Sequence, residues 1–83
     1  METKDAILRR LGERIRQIRK EKGVTQKQLA YSIGKDQQSI QRLEKGNVNP
    51  SLYYLCEIAN GLGVEVSELL WYRVRDSQLY KIL

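Results

Sequence analysis

Four apolar residues near the start of the chain, Leu8, Leu11, Ile15 and Ile18, follow a 3-4-3 spacing. That spacing puts them on one face of a helix, which the pattern predicts from about residue 6 to 22. Arg9, Arg10, Glu13, Arg14, Arg16, Gln17, Lys20 and Glu21 fill the opposite face, and Gly23 follows as a C-cap. Gly12 lies inside this helix at a cost of about 1 kcal/mol relative to alanine, a cost a close helix contact would explain. Residues 1–5 are expected to fray. Leu29 and Ile33 share a second helix face, about 26–33, and Ile40 with Leu43 a third, about 37–45. Leu52, Leu55, Ile58, Ala59 and Leu62 line a fourth, with Cys56 beside them in the core and Gly61 and Gly63 closing it. Val64, Val66, Leu69 and Leu70 suit a short fifth helix, roughly 66–72.

The turns support this division. Thr25 and Gln28 stand three apart, as a capping box requires. Gly34 breaks the second helix as a left-handed turn residue would. Asp36 can cap the third helix, and Gly46 ends it. Asn49 followed by Pro50 reads as the cap and first position of the fourth. Glu65 stands before the fifth, where a carboxylate favours the dipole but caps less well than Ser or Thr. Ala30 falls where helices two and three would cross, and its small side chain allows close approach. The expected fold class is therefore all-α with five helices. Two of them, joined by a short glycine-containing turn, form a helix-turn-helix, whose second helix can enter a DNA major groove.

The segment Thr25–Gly46 resembles the Cro/repressor-type helix-turn-helix regulators of bacteria and phages. Gln26, Leu29, Ala30, Gly34, Ile40, Leu43, Glu44 and Gly46 carry the resemblance, followed by Asn49, Pro50, Ser51 and Leu52. The run Gln37-Gln38-Ser39-Ile40 is similar to the start of the recognition helix in one lambdoid phage repressor. The resemblance covers roughly residues 8–71. It implies a lambda-repressor-like domain over 1–71 that binds double-stranded DNA, most often as a repressor. A restriction–modification controller or an antitoxin would look much the same. It also implies that Arg19, late in the first helix, pairs with Glu44 near the end of the third. Such a pair would set the angle of the recognition helix.

Glutamine bonds an adenine edge through N6 and N7, and arginine reads guanine O6 and N7 or holds a phosphate. Gln37, Gln38, Gln41 and Arg42 are accordingly the expected base-contacting set. Where that related phage repressor carries a glutamine, this chain has Arg42, so no base preference transfers there. Gln26, Lys35, Ser39, Lys45, Asn47 and Asn49 are the expected phosphate contacts. Tyr53 and Tyr54 lie toward the phosphate side of the resembling domains, and Lys27, Arg14 and Lys20 add long-range attraction.

Charge agrees with a polyanionic partner. The net charge is +5, and residues 1–50 hold 12 Lys/Arg against 6 Asp/Glu, whereas residues 51–83 hold 3 against 4. Phosphate neutralisation of this kind dominates nonspecific DNA affinity. Eighty-three residues make one small domain. No stretch approaches the ~20 apolar residues of a membrane span, and the N-terminal decapeptide lacks a signal-peptide core. The single Cys56 excludes an internal disulfide and fits a reducing cytoplasm, and the resemblance implies a bacterial or phage-encoded protein. There is no histidine and no metal, phosphate-cradling or paired-carboxylate motif, so neither an enzyme nor a cofactor is expected. A small-molecule ligand is not evident either.

The tail 72–83 falls outside the resemblance. Tyr72-Arg73-Val74-Arg75 alternates as a strand would, while Asp76-Ser77 could start a helical turn. It is too apolar for a solvated end, and a homodimer is expected to use Leu69, Trp71, Tyr72, Val74, Leu79 and Tyr80. The alternative is a protein-interaction module in which that tail binds a protein partner.

Overall fold

A computed structural model describes residues 2–70. The expected tail contacts at Trp71, Tyr72, Val74, Leu79 and Tyr80 lie outside the described residues. Within them run five helices: α1 Lys4–Glu21, α2 Gln26–Ser32, α3 Gln37–Glu44, α4 Leu52–Leu62 and α5 Val66–Leu70. No strand occurs among the described residues.

The start of α1 departs from the expected frayed end. Thr3 caps the helix, its hydroxyl accepting from the Ala6 amide at 3.1 Å, and Glu2 pairs with Arg10. Satisfying an otherwise orphaned amide gives these residues a reason to be ordered. The capping box of α2 forms in full, with Thr25 Oγ1 and Gln28 Oε1 accepting from each other's backbone amides. Gly34 makes the turn at φ 71°, in the left-handed region. In α4, Ser51 is the cap instead of Asn49, its side chain accepting from the Tyr54 amide at 3.0 Å. Gly61 does not close α4 but lies inside it, where a methyl group would strike Leu29 of α2 and Ile33, the C-cap of α2. Glu65 lacks a capping hydroxyl, yet Glu68 reaches back to its amide at 3.0 Å, supplying one half of a capping box.

Ile15, Leu29, Ile40, Leu43, Ile58 and Leu69 are almost wholly enclosed. Every helix thus contributes to one core, each side chain adding roughly 1.5–3 kcal/mol of burial free energy. Leu69 is 1% exposed, so it holds α5 to the core and is not a surface for a second copy. Two α4 positions also differ from expectation. Leu52 is 66% exposed, because it lies in the first turn, beyond the stripe Leu55–Ile58–Ala59–Leu62. Cys56 is exposed as well. It follows Leu55 by one residue, about 100° around the helix, off that stripe.

Gly12 supplies the contact that fixes α3. A Cβ there would overlap the backbone carbonyl oxygens of Leu43 and Glu44, so α1 meets the end of α3 backbone to backbone. Ala30, 2% exposed, allows the corresponding approach of α2 to α3.

Candidate nucleic-acid interface

The helix α3 is divided lengthwise. Ile40, Leu43 and Glu44 face inward, and Gln37, Gln38, Gln41 and Arg42 are exposed. Three buried anchors on eight residues fix both the rotation and the tilt of the helix. The exposed side chains are therefore presented on a rigid support, as selective recognition demands.

Glu44 is buried because Arg19 meets it. Arg19 Nε and Nη2 donate to the two carboxylate oxygens at 2.6 and 3.0 Å, and Nη1 donates to the Val24 carbonyl at 2.8 Å. Gln26 adds a third donor, its Nε2 lying 3.0 Å from Glu44 Oε1. The pair implied by the resemblance is thus present, and it is larger than implied. One N–H of the Gln26 side-chain amide is engaged by Glu44, which leaves its second N–H and its backbone amide for a phosphate. Nothing in the local sequence signals this bond, since its partner is on another helix.

At the other end of α3, Asp36 caps the helix. Its Oδ1 accepts from both the amide and the hydroxyl of Ser39 at 2.8 Å. Those two bonds, the amide first, hold its carboxyl below the usual aspartate range, with Arg42 helping. The one hydroxyl hydrogen of Ser39 is consequently committed inside the turn and is not free to donate to a phosphate. Lys35, Lys45, Asn47 and Asn49 are exposed around the ends of α3. Gln26 and Gln37 line a common shallow cleft with Lys20 and Thr25. Arg14, expected to act only at long range, donates from Nε to the Glu68 carbonyl at 2.8 Å and ties α1 to α5.

A second notch, about 140 Å³, is lined by Lys35, Ser39, Arg42, Val48 and Tyr54. Lys35 Nζ stands 5.4 Å from the centroid of the Tyr54 ring. Burial raises the Tyr54 pKa above that of an ordinary phenol. Glu57 adds to the rise, whereas Arg42 opposes it. No group of His, Cys, Asp and Glu suited to a metal ion occurs among the described residues, and none of their helices is long and apolar enough to cross a membrane.

A short, anchored helix with a polar outer face, set by a tight turn on a second helix and edged by cations, defines a DNA-binding domain. The helix-turn-helix family model matches residues 15–69. An uncharacterised HTH-type transcriptional regulator of Sinorhizobium fredii is 39% identical over 60 residues, 72% of this chain and 78% of that protein. The immunity repressor protein of Bacillus phage phi105 is 38% identical over 60 residues, 72% of this chain and 42% of the repressor. Among solved structures, the restriction-modification controller protein C.AhdI of Aeromonas hydrophila superposes with a TM-score of 0.75. It is 36% identical, and the match covers 77% of this chain and 97% of the controller. The chain belongs to the helix-turn-helix family of DNA-binding transcriptional regulators.

Proposed function

We propose that the protein is a cytoplasmic repressor, bacterial or phage-encoded, acting as a homodimer on a pseudo-palindromic operator. The carrying observation is the display of Gln37, Gln38, Gln41 and Arg42 on the outer face of a helix whose inner face is locked by Ile40, Leu43 and Glu44. These four residues read base edges in the major groove. Lys35, Lys45, Asn47, Asn49 and Gln26 hold the flanking phosphates. One such reader covers few base pairs, so two-fold symmetry supplies the second half-site, about 34–36 Å away. Ile7 and Leu70 are 42% and 55% exposed and share an apolar groove with Leu11. Together with the tail 72–83 they form the surface for the second copy. No catalytic step or cofactor enters this function.

Selection of bound duplexes from a random library, at two salt concentrations, tests the reading. The expected result is an inverted repeat with half-sites one helical turn apart. Weak binding without a motif, fading steeply as salt rises, would overturn it and direct attention to a protein partner for the groove at Ile7 and Leu70.

A further inference from the structure

Two residues mark the side of α1 that turns toward α3. Gly12 abuts the Leu43 and Glu44 carbonyls, and Arg19 holds the Glu44 carboxylate. At about 100° per residue they stand within about 20° of each other. Arg16, Arg9 and Lys20 follow at about 40°, 60° and 80° from Gly12, turned away from the buried Ile15. All three are exposed, and no ion pair among the described residues engages them. The acids Glu13 and Glu21 stand farther round, at about 100° and 180°, and Asp5, one turn before Arg9, bounds the row. Three cations therefore line the edge of α1 beside the recognition helix. A Cβ at Gly46 would strike the backbone and Cγ of Arg9, so Arg9 lies on the turn where the chain leaves α3. Lys20 lines the cleft with Gln26 and Gln37, where α3 begins. The row thus runs the length of α3 on the flank of Gln37. Ser39, about 160° round α3 from Gln37, belongs with Lys35 and Arg42 to the other flank.

We propose that Arg9, Arg16 and Lys20 form a rail on α1 that holds one phosphate strand of the duplex along the Gln37 flank of α3. This rests on the DNA-reading function above and adds α1 to a surface otherwise made by α3 and the turns around it. A helix lying in the major groove has a phosphate strand on either side. The strand on the Gln37 side comes to the edge of α1, because α1 meets α3 backbone to backbone at Gly12. From Arg9 to Lys20 is eleven residues, a rise of about 16 Å. One strand carries a phosphate every ~3.4 Å of duplex axis, so three long side chains in that span find separate phosphates. Such contacts carry no base preference; they fix orientation. A recognition helix held on one flank alone can roll about its axis. The rail holds the second flank and sets the angle at which Gln37 and Gln41 face the bases.

The test compares wild type with Arg9→Ala, Arg16→Ala and Lys20→Ala. Lys4→Ala, which removes an exposed cation of α1 outside the row, gauges general attraction. Fluorescence anisotropy would follow binding to the selected operator duplex and to a scrambled duplex across a salt series, and thermal melts would follow stability. Each rail variant is expected to keep the wild-type Tm. Each should weaken both duplexes alike, roughly three- to fivefold, the worth of an exposed ion pair, and lower the salt slope by about 1. Lys4→Ala should leave the slope unchanged. A set of operator duplexes, each with one phosphate replaced by an uncharged methylphosphonate, then locates the contact. At one position Arg16→Ala should cause no further loss, and at a neighbouring position Arg9→Ala should behave likewise. Rail variants that bind as wild type does, or that match Lys4→Ala at every methylphosphonate position, would overturn the rail and leave operator selection standing. A fall in Tm that accounts for the lost binding would overturn it too. A wild type without sequence preference, still weakened by the rail variants and not by Lys4→Ala, would support the rail and overturn the operator reading alone.

Discussion

Arg19 and Glu44 form a two-pronged ion pair that is buried at both ends, their side chains only 9% and 3% exposed. It joins α1 to the end of α3. With Val24 and Gln26 it leaves neither group short of partners. Removing one partner strands a buried charge, which costs roughly 3–5 kcal/mol. Arg19→Ala is therefore expected to lower Tm sharply and to lose DNA binding as a consequence. Chemical denaturation read beside a binding titration checks this. Lost binding with full stability would show that the pair does not hold the fold.

Gly12 allows a prediction whose sign separates packing from propensity. On an exposed helix, Gly→Ala stabilises by about 1 kcal/mol. Here the added methyl group would strike the carbonyl oxygens of Leu43 and Glu44. Both are backbone atoms, so relief requires α3 to shift. Gly12→Ala should destabilise by about 1–3 kcal/mol, the usual range for overpacking. It should also weaken operator binding beyond what the stability loss explains, because α3 carries the exposed glutamines. A rise in Tm would mean that α1 and α3 are not in backbone contact.

The two candidate caps of α4 are distinguishable by substitution. Ser51→Ala removes the acceptor of the Tyr54 amide and should cost about 1 kcal/mol. Asn49→Ala should leave Tm nearly unchanged. The same substitution is expected to weaken DNA binding if Asn49 holds a phosphate, so the pair of variants separates capping from contact.

Asp36 makes the stability of the turn before α3 depend on pH. Its folded pKa lies below the ordinary carboxylate value because the Ser39 amide and hydroxyl bond the charged form. Its contribution is present above the unfolded pKa, about 3.9, and is lost as pH falls through the lower folded value. Asp36→Asn keeps a capping oxygen but no charge. The difference in Tm between wild type and Asp36→Asn should therefore shrink as the solution is acidified below about pH 4. A difference that stays constant down to pH 2 would show that the charge of Asp36 does not matter.

Local pattern carried much of this fold. The stripe Leu8–Leu11–Ile15–Ile18 specifies α1, and Thr25 with Gln28 specifies the start of α2, because each signal is complete within a few residues. The cap of α4 was harder to place, since Asn49 and Ser51 are both capping residues and Pro50 favours the earlier start. Only the backbone path decides which oxygen reaches an amide. Cys56 read as core because its type is usually buried, but its angle around α4 turns it outward. Arg14 and Gln26 make contacts that the sequence does not announce. Their partners, Glu68 and Glu44, are 54 and 18 residues away, and neither helix's own sequence records which carbonyl or carboxylate the tertiary packing brings near. Arg19 and Glu44 were legible only through resemblance, as their separation of 25 residues has no local signature.

Arg42 and Lys45 differ in what they are expected to touch, although both are exposed cations near the end of α3. Arg42 stands on the helix face that presents Gln38, so a docked α3 brings it to the floor of the groove. Lys45 is the C-cap, at the rim where the chain leaves the helix. A bidentate arginine–guanine contact discriminates by about 1–3 kcal/mol. Arg42→Ala should lose that much on the selected operator and relax preference at one base pair per half-site. Lys45→Ala should weaken every sequence alike and reduce the salt slope by about 1. Competition titrations against operators changed one base pair at a time would read both effects. If Arg42→Ala lowers affinity uniformly, Arg42 holds only phosphate, and the base reading rests on Gln37, Gln38 and Gln41.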